Sequence, residues 1–403
     1  MPAESVYPDL EPLLPRVRKP IQYVGGEVGS VVKDWDAADV RWALCYPDAY
    51  EVGLPNQGVQ ILYEVLNERD GVLAERTYTV WPDLEALMRE HGVPQFTVDS
   101  HRPVGAFDVL GLSFATEMAY TNLLTVLDLA GIPLFSSERA GSHPLVIAGG
   151  HAAFNPEPVA DFLDAVVLGD GEQAVLAITD VIRDWKRAGR PGGRDGLLLR
   201  LSGIVYVPRF YDVTYHADGR ISNITPNRPG VSPTVSKHTV MDLDAWPYPR
   251  KPIVPVAETV HERYSVEIFR GCTRGCRFCQ AGMIYRPLRE RSPKKILDLA
   301  KQMIHLSGRT EADVPIVFTG ARAGEKLNEV LWNEDEAVGP TSHPKIMRAA
   351  RATIDPEWLE ECLAELERLA ESADTLGAVA KVSSMIKEPR RIGTEAVLED
   401  TLH

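Results

Sequence analysis

The chain is short of cysteine, of positive charge and of long apolar runs. Its five cysteines among 403 residues are an odd number in a long chain, which argues against a disulfide framework. Lys and Arg number 43 against 57 Asp and Glu, a net charge of −14. That balance argues against general nucleic-acid or anionic-membrane binding, although a local basic patch is compatible with it. The segment Met1 to Pro20 has no apolar core between charged flanks, and no later run approaches membrane-spanning length. The expectation is a cytoplasmic protein that contacts no membrane, a setting in which reduced thiols and an oxygen-sensitive metal centre persist. What is present is an ordinary globular composition, 44% hydrophobic and 25% charged, with room for two or three domains.

Three of the few cysteines lie together. The stretch from Val266 ends a β-type run at Arg270, and Cys272, Cys276 and Cys279 follow at spacing Cys-x3-Cys-x2-Cys with Phe278 just before the last. Thiolates this close, on a loop loosened by Gly271 and Gly275, can converge on one metal centre, and three ligands leave one iron of a four-iron cluster open. Zinc would call for a fourth protein ligand, and the nearest histidines, His261 and His305, lack zinc-type spacing. Inert thiols are the remaining reading. Ligand number and softness favour iron–sulfur.

Upstream, strands and helices alternate. Val40 to Tyr46, Phe107 to Phe114, Pro144 to Gly149 and Leu163 to Leu168 are short, nearly continuous apolar runs of the kind buried on both faces. Gln57 to Asn67, Pro82 to His91, Met118 to Ala130 and Gly171 to Trp185 carry helical periodicity. The alternation predicts a doubly wound parallel sheet with its ligand crevice at the strand C-termini. The loops Ala148-Gly149-Gly150-His151 and Leu168-Gly169-Asp170-Gly171-Glu172 both follow strands, so Gly149, Gly150, Gly169 and Gly171 are the candidate crevice residues. The second loop also fits Gly-x-Gly-x-x-Ala, but it follows the last strand, and Asp170 and Glu172 would repel a pyrophosphate.

The stretches Tyr23-Val24-Gly25-Gly26-Glu27, Tyr46-Pro47-Asp48-Ala49-Tyr50-Glu51-Val52-Gly53, Ile61-Leu62-Tyr63-Glu64 and Leu127 to Pro133, with the cysteine loop and its continuation Gln280 to Arg286, resemble an uncharacterised bacterial group of radical SAM proteins with a cobalamin-binding-type N-terminal domain, over about residues 15 to 306. The resemblance implies a 4Fe-4S cluster on Cys272, Cys276 and Cys279 and S-adenosyl-L-methionine on its open iron, with backbone at Phe278 against the adenine. It also implies an electron donor of flavodoxin or ferredoxin type, and reductive cleavage to a 5′-deoxyadenosyl radical that acts on an unknown substrate. Cobalamin stays open as a further ligand. The usual Asp-x-His-x-x-Gly is missed by one residue in Asp99 to Gly105, and His101 reads as part of a solvated turn.

Residues 1 to 35 read as an arm across the first domain (36–187). The basic run Lys186 to Arg194 reads as a solvated linker. A connector (200–255) contains a β-hairpin, Phe210 to His216 and Arg220 to Thr225, followed by a Pro-rich stretch. Residues 256–308 begin a β/α barrel that ends in the helix Ser292 to His305. Arg286, Arg289 and Arg291 read either as partners for cluster or carboxylate charge or as solvated helix-entry residues. A full barrel takes ~250 residues, whereas only about a third of the chain follows Cys272. No Gly-Gly-Glu follows Pro315 to Phe318.

Instead, Ile316 to Leu327 and Pro340 to Ile346 resemble the C-terminal part of polysaccharide-biosynthesis nucleotide-sugar dehydratases and epimerases, over about residues 312 to 385 of a tail spanning 312–403. That family's dinucleotide loop and Tyr-x3-Lys pair have no counterpart here. Asp355-Pro356 caps a helix whose Trp358, Leu359, Cys362, Leu363, Leu366 and Leu369 share one stripe. The expected architecture is therefore α/β: a cobalamin-binding-like doubly wound domain, a β-hairpin connector, a truncated radical SAM barrel and a short α/β tail, joined as a fusion of two incomplete proteins. A radical SAM enzyme, a non-catalytic iron–sulfur or ligand-binding remnant, and a nucleotide-sugar enzyme fragment all stay open.

Overall fold

The computed structural model describes residues 4–246, 249, 251–261, 263, 265–274, 276, 279–317, 320, 337–341, 347–350, 353–388 and 390–392. It divides into two compact units, Met1–Thr273 with Arg277–Val317, and Arg274–Cys276 with Phe318–His403.

The first unit is built on a five-stranded sheet whose aligned pairings are all parallel, in the order β2-β1-β3-β4-β5. Its strands are β1 (Val40–Tyr46), β2 (Val72–Tyr78), β3 (Val109–Ser113), β4 (Leu145–Gly149) and β5 (Ala165–Val166). Between them run α1 (Gln57–Asn67), α2 (Pro82–His91) and α3 (Tyr120–Leu129), and α4 (Gly171–Arg187) follows β5. This is the strand order in which a doubly wound sheet reverses direction between β1 and β3 and opens a crevice beyond their carboxyl ends. Asn56 caps α1 by accepting from the Val59 N–H, and α1 and α4 pack on one another, so their apolar stripes close over β1.

Strand β2 has no counterpart in the sequence reading, because Glu75 and Arg76 interrupt its apolar run. All seven of its residues are buried. The charges are matched locally. Arg76 donates to Asp99 at 2.7 Å and pairs with Glu27 at 3.1 Å, while the Thr97 and Ser100 hydroxyls donate to Glu75. Covering the sheet edge with the N-terminal segment and residues 95–103 explains how an edge strand can be so buried. The N-terminal segment is accordingly more than an arm: Leu10, Leu13, Leu14 and Tyr23 form a second core with Leu84, Met88 and Phe96.

Two other expectations are corrected at this level. His101 is buried rather than solvated, its Nε2 lying 2.8 Å from the Tyr23 carbonyl and its ring against Tyr7 and Phe96. Lys186 to Arg194 is not a linker, since Lys186 closes α4 and Arg194 lies in the first turn of α5 (Gly193–Leu201). Arg194 bridges Asp164 at 2.7 Å and the Pro144 carbonyl at 2.8 Å, which ties α5 to the start of β4.

The hairpin is formed by β6 (Tyr211–Tyr215) and β7 (Ile221–Pro226), paired antiparallel. Beyond it, β8 (Phe269–Arg270) leads into the cysteine loop. It pairs antiparallel with β9 (Arg289–Glu290), and α6 (Pro293–Leu306), capped by Ser292, follows. Among the described residues no further parallel strand extends this β/α pair.

The second unit contains the antiparallel pairs β10 (Ala337–Pro340) with β11 (Met347–Ala350) and β12 (Thr353–Ile354) with β13 (Arg391–Ile392). Its helices are α7 (Pro356–Glu371) and α8 (Thr375–Lys387), which pack together. Asp355 caps α7 through the Glu357 and Trp358 N–H groups, and Cys362 is buried as expected of a core position. Most of Ile316 to Leu327 and of Pro340 to Ile346 lies outside the described residues.

Candidate functional site

A cavity of about 570 Å³ opens at the carboxyl ends of β1, β3 and β4. Its floor is Leu44 and Cys45 of β1 and Gly111 and Leu112 of β3, with Ile147 and Ala148 of β4 beside them. Burial pushes the Cys45 thiol far up, which keeps it neutral and makes it part of the apolar packing. Gly149, Gly150, Gly169 and Gly171, the four candidate crevice glycines, all line this cavity. A more open cavity of about 600 Å³ adjoins it and adds Glu117 and His151, whose ring lies 5.5 Å from that of Tyr285.

The cysteine loop forms the opposite wall. Phe269, Arg270, Gly271, Cys272 and Cys279 line the cavity together with Tyr285. At Gly271, with φ of +86°, a Cβ would lie 2.3 Å from the Tyr285 carbonyl oxygen, so the residue preceding the first cysteine has to be glycine. Gly169 is similarly placed: φ is +99°, and a Cβ would meet the His238 oxygen at 2.1 Å.

Charge fastens this wall to the sheet. Arg270 pairs with Glu172, with Glu267 at 2.7 Å and with Asp170 at 3.3 Å. The second oxygen of Asp170 accepts from the Val240 N–H at 2.7 Å and from Arg289, and Arg291 reaches Glu267 at 3.2 Å. Burial works against the Arg270 cation, but hydrogen bonds to Glu267 and Glu172 outweigh it and hold the guanidinium firmly charged. Asp170 and Glu172 thus face arginines of the cysteine segment instead of repelling a ligand phosphate. Arg289 and Arg291 are buried partners of carboxylates, and Arg286 alone of the three is exposed. Taking Asp170 and Glu172 as groups that repel phosphate misses this role, because nothing local to the turn names Arg270 and Arg289 as their partners.

Three thiols outside any disulfide are the right kind of donor for iron–sulfur ligation. Their described arrangement gathers only part of that set. Cys272 and Cys279 line the cavity, Cys276 is grouped with the second unit, and Phe278 lies outside the described residues. Among the described residues, no group of three or more His, Cys, Asp or Glu is close enough to hold a metal ion. His101 is directed at the Tyr23 carbonyl and does not line the crevice.

These features define an α/β protein with a crevice at a topological switch point, walled on one side by a cysteine loop. Residues 58–208 match the family model described as radical SAM proteins, N-terminal, and residues 254–351 match one described as polysaccharide biosynthesis protein. Both resemblances read from the sequence are thus found, although the second match starts upstream of the cysteine loop and not near residue 312. The chain is 50% identical over 66 residues to the probable polysaccharide biosynthesis protein EpsC of Bacillus subtilis, covering 16% of this chain and 11% of EpsC. The capsular polysaccharide biosynthesis protein CapD of Staphylococcus aureus is 50% identical over 56 residues, 14% of this chain and 9% of its own. The uncharacterized protein MJ0966 of Methanocaldococcus jannaschii is 20% identical over 269 residues, 66% of this chain and 46% of its own. The chain therefore spans less than half the length of each of these relatives. No solved structure matches it significantly. Among the described residues, no helix is long and apolar enough to cross a membrane.

Proposed function

We propose that the chain is a radical SAM iron–sulfur protein of the cytoplasm. Cys272, Cys276 and Cys279 would hold a four-iron cluster, and backbone at Phe278 would receive the adenine of S-adenosylmethionine. The crevice at the β1/β3 switch point would hold substrate or a corrinoid. The observation that carries this reading is the placement of Cys272 and Cys279 on the wall of the same cavity that Gly149, Gly150, Gly169 and Gly171 line. Such a cluster would supply one electron, received from a flavodoxin or ferredoxin, to break the S–C5′ bond of S-adenosylmethionine, giving methionine and a 5′-deoxyadenosyl radical.

The chain's own residues position and shield. Arg270 and Arg289 pair with Asp170 and so tie the loop to the sheet, and Leu44, Leu112 and Ile147 give the crevice an apolar floor. On this reading residues 256–308 begin a barrel of which the remainder is replaced by the tail. The test is anaerobic reconstitution of the full chain with iron and sulfide. Near four irons per chain with an electron paramagnetic resonance signal on reduction are expected, and both should be lost in Cys272→Ala, Cys276→Ala and Cys279→Ala. Zinc bound in place of iron, or no metal at all, would overturn the reading.

A second reading is favoured by the antiparallel pairing of β8 with β9: an iron–sulfur or ligand-binding remnant that assembles the cluster without cleaving S-adenosylmethionine. The matches of residues 254–351 and of EpsC and CapD favour a nucleotide-sugar dehydratase or epimerase fragment, but the chain has no Tyr-x3-Lys pair.

A further inference from the structure

At the opposite end of the strands, a polar cavity of about 250 Å³ lies between the beginnings of β1, β3 and β4 and the C-terminal turn of α4. Four basic side chains line it, Arg41, Lys186, Arg190 and Arg194, and its one lining carboxylate is Asp108. That carboxylate is consumed within the wall. Asp108 Oδ2 accepts from the Arg41 N–H at 2.9 Å, and Lys186 donates to Oδ1 at 2.9 Å and to Oδ2 at 3.1 Å. Arg194 is spent on Asp164 and on backbone carbonyls. The wall is therefore satisfied internally and still carries more positive than negative charge.

Two donors are left over at the rim. The Arg190 guanidinium is exposed and makes no hydrogen bond or ion pair among the described residues; its one neighbour of note is the Trp185 ring, 5.6 Å away. Its backbone is held at φ of +60°, a left-handed conformation that costs a non-glycine residue ~1–2 kcal/mol. His143 accepts the Ala140 N–H on Nδ1 at 3.0 Å, which leaves Nε2 to carry the proton and donate. Burial and then Arg194 lower the His143 pKa, so this neutral donor tautomer persists. Complementing the negative end of α4 accounts for Lys186, but it leaves unexplained an arginine in a strained turn that, among the described residues, has only the Trp185 ring beside its guanidinium.

We propose that this cavity binds a phosphate-class oxyanion, gripped by Arg190 and the His143 Nε2–H against a wall charged by Arg41 and Lys186. The volume suits inorganic phosphate or the phosphoryl end of a small phosphomonoester. The site stands at the amino ends of the strands, away from the crevice at their carboxyl ends, and depends on no cluster.

The test is isothermal titration of the purified full-length chain with inorganic phosphate and with glucose 6-phosphate at fixed ionic strength, with chloride as control. Saturable binding is expected, and tighter binding of one of the two identifies free phosphate or a phosphomonoester as the source. Arg190→Gly is expected to weaken binding about tenfold. In phosphate-free buffer its thermal midpoint should be unchanged or higher, because glycine accepts the left-handed turn. His143→Phe should weaken binding while leaving the midpoint within a few degrees. Absence of saturable binding above the chloride control, or wild-type affinity in both variants, would overturn the proposal.

Discussion

The floor of the crevice and the loop that walls it are held by different forces. Trp42, Leu44, Ile147 and Ala148 come from strands packed on both faces, and Trp42 is tied through its Nε1 to the Thr179 hydroxyl of α4 at 3.0 Å. The cysteine loop has a two-residue strand beneath it, and Ile268 and Phe269 are about half exposed. Its attachment is electrostatic, Arg270 and Arg289 to Asp170 and Glu172. Apolar burial is insensitive to which partner fills a gap, whereas paired charges demand their partners and leave a penalty when one is removed. The floor should therefore persist whatever happens at the loop, and the loop should respond to single charges and ligands.

The largest separation of the two regions is expected from Cys276→Ala, which should reduce iron incorporation to background while the urea midpoint of the sheet domain stays within error. Parallel loss of both would mean that the metal holds up the fold. Trp42→Ala attacks the floor instead and is expected to cost ~3–5 kcal/mol in urea unfolding; a cost below about 1 kcal/mol would show the floor to be less tightly packed than described. Arg270→Met leaves Glu172 and Glu267 without this cation, and the expected cost is at the lower end of the ~3–5 kcal/mol seen on breaking buried pairs. Hydrogen exchange should then rise across residues 266–291 and stay unchanged in β1, β3 and β4. Gly169→Ala, whose Cβ would meet the His238 carbonyl, should cost ~1–3 kcal/mol and loosen the same segment.

The smallest effect concerns charge inside the sheet. Burial raises the Glu75 carboxyl above its ordinary value of 4.5, against the opposing Thr97 and Ser100 hydroxyl bonds. A carboxyl whose folded pKa is raised contributes stability that is complete below pH 4.5 and is lost as pH rises through the folded value. Glu75→Gln should therefore flatten the fall in urea midpoint between pH 4.5 and neutrality, and an unchanged slope would contradict it.

What the sequence made legible followed the kind of force at work. The strands β1, β3 and β4, the helices between them and the four crevice glycines were readable because period and glycine placement are local signals. Strand β2 was not, because its Glu75 and Arg76 are satisfied by Thr97, Ser100, Asp99 and Glu27, partners distant in sequence. The same limit hid Asp170 and Glu172 as anchors of the loop: each is an ordinary acid until Arg270 and Arg289, roughly a hundred residues on, are placed beside it. His101 and Arg194 look solvated in the sequence for that reason too, since the Tyr23 carbonyl and Asp164 that engage them are distant in sequence. Cysteine spacing marks Cys272, Cys276 and Cys279 as candidate ligands, while the geometry that would gather all three thiols rests on contacts that spacing does not encode.

The most direct test of the account is whether the reconstituted, reduced full chain cleaves S-adenosylmethionine. Chromatography of the anaerobic reaction should show 5′-deoxyadenosine forming with the wild-type chain and absent with Cys276→Ala. Four-iron incorporation with no 5′-deoxyadenosine would contradict radical chemistry and leave a metal loop over a ligand crevice.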